Sequence, residues 1–403
     1  MSNAAAAVLR YHQRTKHHFN AYAKGPDSLR WEDQPHPFRR FLDCETLELP
    51  TPGTELTVLF ADLDRPETIA PQPLSLQTLG LLLELSFGLS AWKQYGSDRW
   101  ALRCNPSSGN LHPTEAYLIC NAPDWLQPGV YHYVSHDHSL ERRCRFFPPA
   151  DTPFIYVGLS SIHWREAWKY GERAFRYCQH DIGHALAALS YAAATLGWHI
   201  ELLSETADND LAAWLGLDRA EDFVEHEAET PDLLCRLWFT SSLSTCQPTD
   251  LSPCFANAEW YGKAASLSAQ HLQHWPIIDD VARHAQKPAT ALERWSFPPS
   301  DLHSPRHNLP ASQLIRQRRS AQRFDSQAEP LPLADFHRIL AATLPGHKPP
   351  FSAWNWRPHV HLILFVHRVA GLESGLYLIP RDADDIEALR QAFSADFTWQ
   401  SIT

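Results

Sequence analysis

At 403 residues, the chain is long enough for two or three domains and a large apolar core. Hydrophobic residues make up 44 % and charged residues 20 %, a balance that marks a globular rather than a disordered chain. The 46 acidic against 35 basic residues give a formal net charge of −11, which argues against non-specific nucleic-acid binding and leaves room only for a local basic pocket.

The first residues, MSNAAAAVLRYHQRTKHH, pass from a short alanine run straight into charge and lack the apolar stretch of a signal peptide. No apolar run reaches the length of a membrane span, so the expectation is a cytoplasmic protein with no membrane partner. Residues 73–90, PLSLQTLGLLLELSFGLS, space their apolar side chains as a helix does, with Ser75 as its N-cap. Then comes RCNPSSGNLHPTEAYL, Arg103 to Leu118, in which small polar residues and a glycine sit between two prolines. Such a stretch lets a ligand approach the backbone closely.

EAYLIC (115–120) and GVYHYV (129–134) alternate as strands around the turn-rich NAPDWLQP, which predicts a hairpin or meander. FIYVGLS (154–160) is a third strand. A helix of about 30 residues is expected from Trp164 to Leu196, WREAWKYGERAFRYCQHDIGHALAALSYAAATL, its second half buried and Gly197 closing it. A shorter helix is expected at 208–216. From 246 to 310 proline, serine, histidine and asparagine dominate, which reads as a partly helical connector between a first domain (1–245) and a second (311–403).

That second part repeats the first. LPLADF (331–336) matches LSLQTL (74–79), and Gly375-Leu376-Tyr377 matches Gly129-Val130-Tyr131. Gly129 follows Leu74 by 55 positions, whereas Gly375 follows Leu331 by 44. The shortfall falls where the first half carries RCNPSSGN, so the second half reads as a repeat without that loop. It carries instead LIRQRRSAQRFD (314–325), where Arg318, Arg319, Ser320 and Arg323 gather three cations and a hydroxyl as a phosphate requires. A solvated basic helix face would have the same composition.

The eight cysteines are scattered without a CxxC pair, which excludes a zinc or disulfide framework and leaves them as small buried residues. His180 and His184 stand four apart on the long helix, but no third ligand accompanies them, and no metal is expected.

YHQRTKHH, RCNPSSGNLHPTEAYL, LQPGVYHY, WKYGERAFRYCQHDIGHALAALSYAAATLGW and RRSAQRFD together resemble the nitroreductase superfamily, and within it the SagB-like azoline dehydrogenases. The resemblance spans roughly 1–240 and, in part, 310–380. It implies an α+β fold with a central mixed sheet flanked by helices, here as a tandem pseudo-dimer whose second copy lacks the long helix. It implies FMN, with Arg103, Pro106, Ser107, Ser108, Gly109, Asn110 and Arg173 on the cofactor and Arg318, Arg319, Ser320 and Arg323 on its phosphate. Lys169 and Tyr170 match the family's Lys-Tyr pair, implicated in proton removal during hydride transfer; as residues alone they read equally as a surface charge and a packing ring. The implied activity is an FMN-dependent dehydrogenase acting on a small or peptide-borne heterocycle such as an azoline. Reduction of nitro compounds or quinones with NAD(P)H, and a non-catalytic scaffold that binds a peptide or partner, remain as alternatives. Further homo-oligomerisation of whole chains is left open by the sequence.

Overall fold

The computed structural model describes residues 2–51, 56–122, 124–149, 153–238, 250–292, 294–297 and 308–400. Cys246 and much of the proline-rich connector lie outside the described residues. The chain forms two compact units, one of Met1–Glu293, His307–Arg318 and Lys348–Trp354, the other of Arg294–Arg306, Arg319–His347 and Asn355–Thr403.

In chain order the strands are β1 (Phe41–Leu42), β2 (Glu45–Glu48), β3 (Leu89–Tyr95), β4 (Asp98–Arg103), β5 (Thr114–Ala122), β6 (Leu126–Val134), β7 (Ser139–Arg145), β8 (Phe154–Ser161), β9 (His199–Leu202), β10 (Thr230–Trp238), β11 (Glu259–Trp260), β12 (Lys263–Ala264), β13 (Leu362–Val366) and β14 (Gly375–Ile379). The larger unit is built on a sheet ordered β11-β7-β6-β5-β8-β10-β9, with β2 also on β7. Helices α1 (Asn3–Arg14), α2 (Leu76–Phe87), α3 (His163–Tyr170), α4 (Ala174–Thr195), α5 (Asp208–Leu215), α6 (Pro276–Ala285) and α7 (Ala311–Gln317) belong to the same unit. The class is α+β, as expected. The sheet itself is antiparallel at every pairing among the described residues rather than mixed. Short returns dictate this: β5, β6 and β7 follow one another as hairpins, which only antiparallel strands allow.

Every residue of β5 and β8 is buried, because the sheet centre is covered on both faces. One apolar layer joins Tyr117, Ile119 and Val130 to Leu211, Trp214 and Leu215 of α5. Another gathers Leu111, Ile162, Trp164 and Trp168 with Leu267 and Ile278.

Polar side chains thread the same interior. His132 lies between Glu115 (2.9 Å) and Glu141 (3.1 Å). Glu115 also accepts from Arg165, and Arg39 joins Glu227 and Glu229. Burial alone would lower the His132 pKa, but the hydrogen bonds and charges of Glu115 and Glu141 outweigh it and raise the value to about 9.

Two helix boundaries differ from expectation. The predicted 73–90 helix begins after Ser75, whose hydroxyl accepts from the Thr78 amide, but it stops at Phe87. A Cβ on Gly88 would lie 2.6 Å from the Glu84 carbonyl oxygen, and β3 starts at once. The long 164–196 helix is broken at Gly171, which has a φ of +55°. Residues 24–25 cross so tightly there that a Cβ would sit 2.7 Å from the Gly25 Cα, leaving room only for glycine. Gly197, with φ +67°, does close α4 as predicted, its successor Trp198 donating to the Ala193 carbonyl at 2.9 Å.

The smaller unit holds the helices α8 (Leu333–Ala341) and α9 (Ile386–Gln391) and the β13–β14 hairpin. Among the described residues no helix is long and apolar enough to cross a membrane.

Candidate functional site

The proline-bounded loop links β4 to β5, and three of its residues are left-handed: Gly109 (φ +59°), Asn110 (φ +60°) and His112 (φ +53°). Such a path costs energy at the two non-glycine positions, so something must hold it. Asp181, buried in α4, accepts from the Ser108 amide and hydroxyl, both at 2.9 Å. The Ser107 hydroxyl oxygen accepts the His112 amide at 2.8 Å. Asn110 donates to the Ala101 carbonyl (2.9 Å), and its amide oxygen lies 3.0 Å from His112 Nε2.

The side chains of Ser108 and Asn110 are thereby committed to the loop itself. Arg103 is spent likewise: it is buried, donates to the carbonyls of Thr114 and Pro37, and lies over the Phe38 ring. What the loop leaves open are the Gly109 backbone, the residues about Pro106, and the Ser107 hydroxyl proton.

Lys169 and Tyr170 end α3 and lean onto this loop. A Cβ on Gly109 would fall 2.5 Å from the Tyr170 hydroxyl and 3.0 Å from Lys169 Nζ, so glycine is required on steric grounds as well as by its φ. The Tyr170 ring also packs 4.5 Å from Tyr177, and Lys169 Nζ lies 5.4 Å from the Tyr170 ring. Burial, then the Glu166 carboxyl, Tyr177 and Asp181, push the Tyr170 pKa up to about 12. Glu166, one turn before Tyr170, is fully buried, and neither carboxyl oxygen has a hydrogen-bond partner. Burial and the nearby Asp181 hold it well above the usual carboxyl range, against the pull of Lys169.

The cationic residues divide. Arg173 follows the Gly171 break and lies over the Tyr177 ring at 5.1 Å. Arg316 of α7 binds Glu84 of α2 through two hydrogen bonds of 2.8 and 3.1 Å. The next arginine, Arg318, lies 3.5 Å from the Cys104 carbonyl at the entrance of the loop. Arg319, Ser320 and Arg323 are exposed residues of the smaller unit. Among the described residues no group of three or more His, Cys, Asp or Glu could hold a metal ion.

The sequence reading missed Asp181 and Glu166. No local signal marked them: Asp181 stands in QHDIGH and Glu166 in HWREAWK, among polar and charged neighbours that read as a solvated helix face.

No family model matches the chain. A protein of Methanocaldococcus jannaschii, provisionally named a nitroreductase, is 23 % identical over 183 residues, which is 41 % of this chain and 88 % of that relative. A crystal structure from Anabaena variabilis, provisionally titled a nitroreductase, superposes with a TM-score of 0.62 at 21 % identity, covering 92 % of this chain and 76 % of that one. The fold is nitroreductase-like. A chain of the E. coli microcin synthetase McbBCD complex with truncated pro-MccB17 bound gives a TM-score of 0.33 at 17 % identity, over 48 % of this chain and 78 % of that one; an overlap so partial carries no argument. In the nitroreductase-like frame, the loop that carries Gly109 precedes β5 and the turn that carries Lys169 and Tyr170 follows β8; because Thr114 pairs with Ser161, both leave the same end of that strand pair and meet there.

Proposed function

We propose that the chain is an FMN-dependent oxidoreductase that passes hydride between the flavin N5 and a small or peptide-borne heterocycle such as an azoline. One observation carries the reading. A left-handed glycine without side chain is met directly by a tyrosine hydroxyl and a lysine ammonium, which joins an approachable backbone to a proton-moving pair.

The donor set suits FMN. Gly109 admits a flat ring against the backbone, Ser107 keeps a hydroxyl proton to donate, and Lys169 supplies positive charge beside an electron-rich ring. We assign the 5′-phosphate to Arg318, which lies at the entrance of the loop, since a guanidinium fork matches phosphate oxygens. When bound, the flavin supplies reversible hydride transfer at N5. Lys169, as the neutral amine, takes the proton that leaves the substrate carbon, and the ammonium so formed is the positive charge beside the ring. Tyr170, kept protonated by its burial, donates a hydrogen bond to the same atoms. Buried Glu166 behind them makes no hydrogen bond to Lys169. Asp181 fixes the loop and takes no part in proton transfer.

A flavin spectrum tests the first step: a yellow protein bleached by dithionite supports it, and a colourless protein that ignores added FMN overturns it in favour of a scaffold. Arg318→Glu should weaken flavin retention about tenfold or more; unchanged flavin content refutes the phosphate assignment. The names of the relatives favour a second reading, reduction of nitro compounds or quinones with NAD(P)H. Lys169→Ala separates the two. Azoline oxidation needs the base and should fall at least a hundredfold, whereas nitro reduction should persist.

A further inference from the structure

Beyond the Gly171 break, α4 presents positive charge that no carboxylate offsets. Arg173 donates to the Thr15 carbonyl, and its Nε lies 3.2 Å from the Tyr177 hydroxyl. Arg176 donates to the Thr15 hydroxyl at 2.9 Å and reaches the His12 carbonyl at 3.3 Å. These partners are neutral, and among the described residues neither arginine has an ion-pair partner. The acids nearest in sequence are already taken: Glu172 by Arg14, at 2.8 and 2.5 Å, and Asp181 by Ser108.

Histidines complete the patch. His12 and His17 from α1 and the turn after it, and His180 on α4, are each held below the ordinary histidine range by desolvation first; Arg176 adds to this at His12, Arg173 and then Arg176 at His17, and Arg176 and Arg173 at His180, where Asp181 opposes them. The patch adjoins the proposed reaction centre. Tyr177 packs on Tyr170 at 4.5 Å and carries Arg173 over its ring at 5.1 Å. One aromatic layer therefore separates Gly109 and Lys169 from the guanidinium groups.

We propose that Arg173 and Arg176 form a subsite for an anionic group, a carboxylate or phosphate, at the far end of the substrate. The reacting ring lies beside Lys169 while the anion caps the arginines. Arg173, grouped by the sequence resemblance with the cofactor, acts here on the substrate. The assignment rests on the oxidoreductase reading for which end reacts, but not for whether an anion binds.

The test compares 4-nitrobenzoate with the neutral 4-nitrobenzyl alcohol, using the flavin-loaded full chain with NADPH as the electron donor. Wild type should favour the acid. Arg176→Gln should raise the KM for 4-nitrobenzoate about tenfold, leave the alcohol unchanged, and retain flavin; Arg176→Lys should recover most of the loss. His180→Glu, a change at an exposed position that places a negative charge in the patch, should reproduce the effect should Arg176→Gln fail to fold. Equal losses on both substrates, no wild-type preference for the acid, or loss of flavin instead (which would make the patch a cofactor phosphate site) each overturn the proposal. Should neither compound turn over, the nitro-reduction reading fails alone. Calorimetric titration of 4-nitrobenzoate into wild type and His180→Glu then decides the subsite: binding weakened by the substitution supports it, and binding absent or equal refutes it.

Discussion

The β5–β6 and β13–β14 hairpins are built alike and treated differently. In the first, Cys120, Ile119 and Leu118 face Gly129, Val130 and Tyr131; in the second, Val366, Phe365 and Leu364 face Gly375, Leu376 and Tyr377. Each tyrosine hydroxyl donates to the carbonyl four residues back, Tyr131 to Gln127 at 2.7 Å and Tyr377 to Glu373 at 2.6 Å. Each hairpin is preceded by a helix that starts two residues after a leucine, at Leu76 and Leu333. Yet Ile119 is 0 % exposed and its counterpart Phe365 is 72 % exposed. The first hairpin has β7 and β8 along its edges; among the described residues the second pairs with no third strand. Pairing register is thus a local property of the two segments, whereas burial depends on what the rest of the chain brings.

The largest expected contrast follows from that difference. Ile119→Ala should cost about 2–5 kcal/mol in chemical denaturation, because it empties a filled interior. Phe365→Ala should stay within about 0.5 kcal/mol, and a large loss there would mean that the second hairpin is covered in solution.

Acidity separates the two regions next. His132 belongs to the first hairpin, and its folded pKa of about 9 lies above its ordinary 6.5. Its contribution is therefore complete below pH 6.5 and fades as pH rises through 9, by up to about 3 kcal/mol. Denaturation midpoints measured from pH 6 to 10 should fall accordingly, and His132→Gln should flatten the curve.

Glycine gives a third contrast. Gly109→Ala forces a side chain into a left-handed position against Tyr170 and should cost about 1–2 kcal/mol together with flavin retention. Gly371, at φ +80° with nothing within 4 Å, should pay the conformational cost alone and leave flavin absorbance intact. Last, Tyr131→Phe removes a part-buried hydrogen bond to the Gln127 carbonyl and should cost about 1 kcal/mol or less; half-buried Tyr377→Phe, whose bond to Glu373 is exposed, should cost a few tenths, as water replaces the hydroxyl.

Much of this was legible. The apolar runs of β5, β6 and β8, the Ser75 cap, the Gly197 stop and the 208–216 helix are local signals, and local physics honours them. Strand β7 was not, because SLERRCR reads as a solvated stretch. Its charges are hidden only through partners distant in sequence: Glu141 on His132, and Arg143 on Asp222 and the Phe41 ring. The Gly171 break escaped for the same reason, since residues 24–25 crowd it from far along the chain. At the candidate site, Gly109, Lys169 and Tyr170 were visible as motif residues and lie together. The inward turn of Arg103, Ser108 and Asn110 was not visible, because it depends on Asp181 and on carbonyls that no spacing rule points to.

The reversal of backbone handedness at Gly171 has one more consequence. It sets the lysine–tyrosine pair and the arginines beyond it on two rods whose axes are fixed by different neighbours. Residues can therefore drift along the second rod, retuning which molecules are gripped, without disturbing the alignment of the atoms on the first.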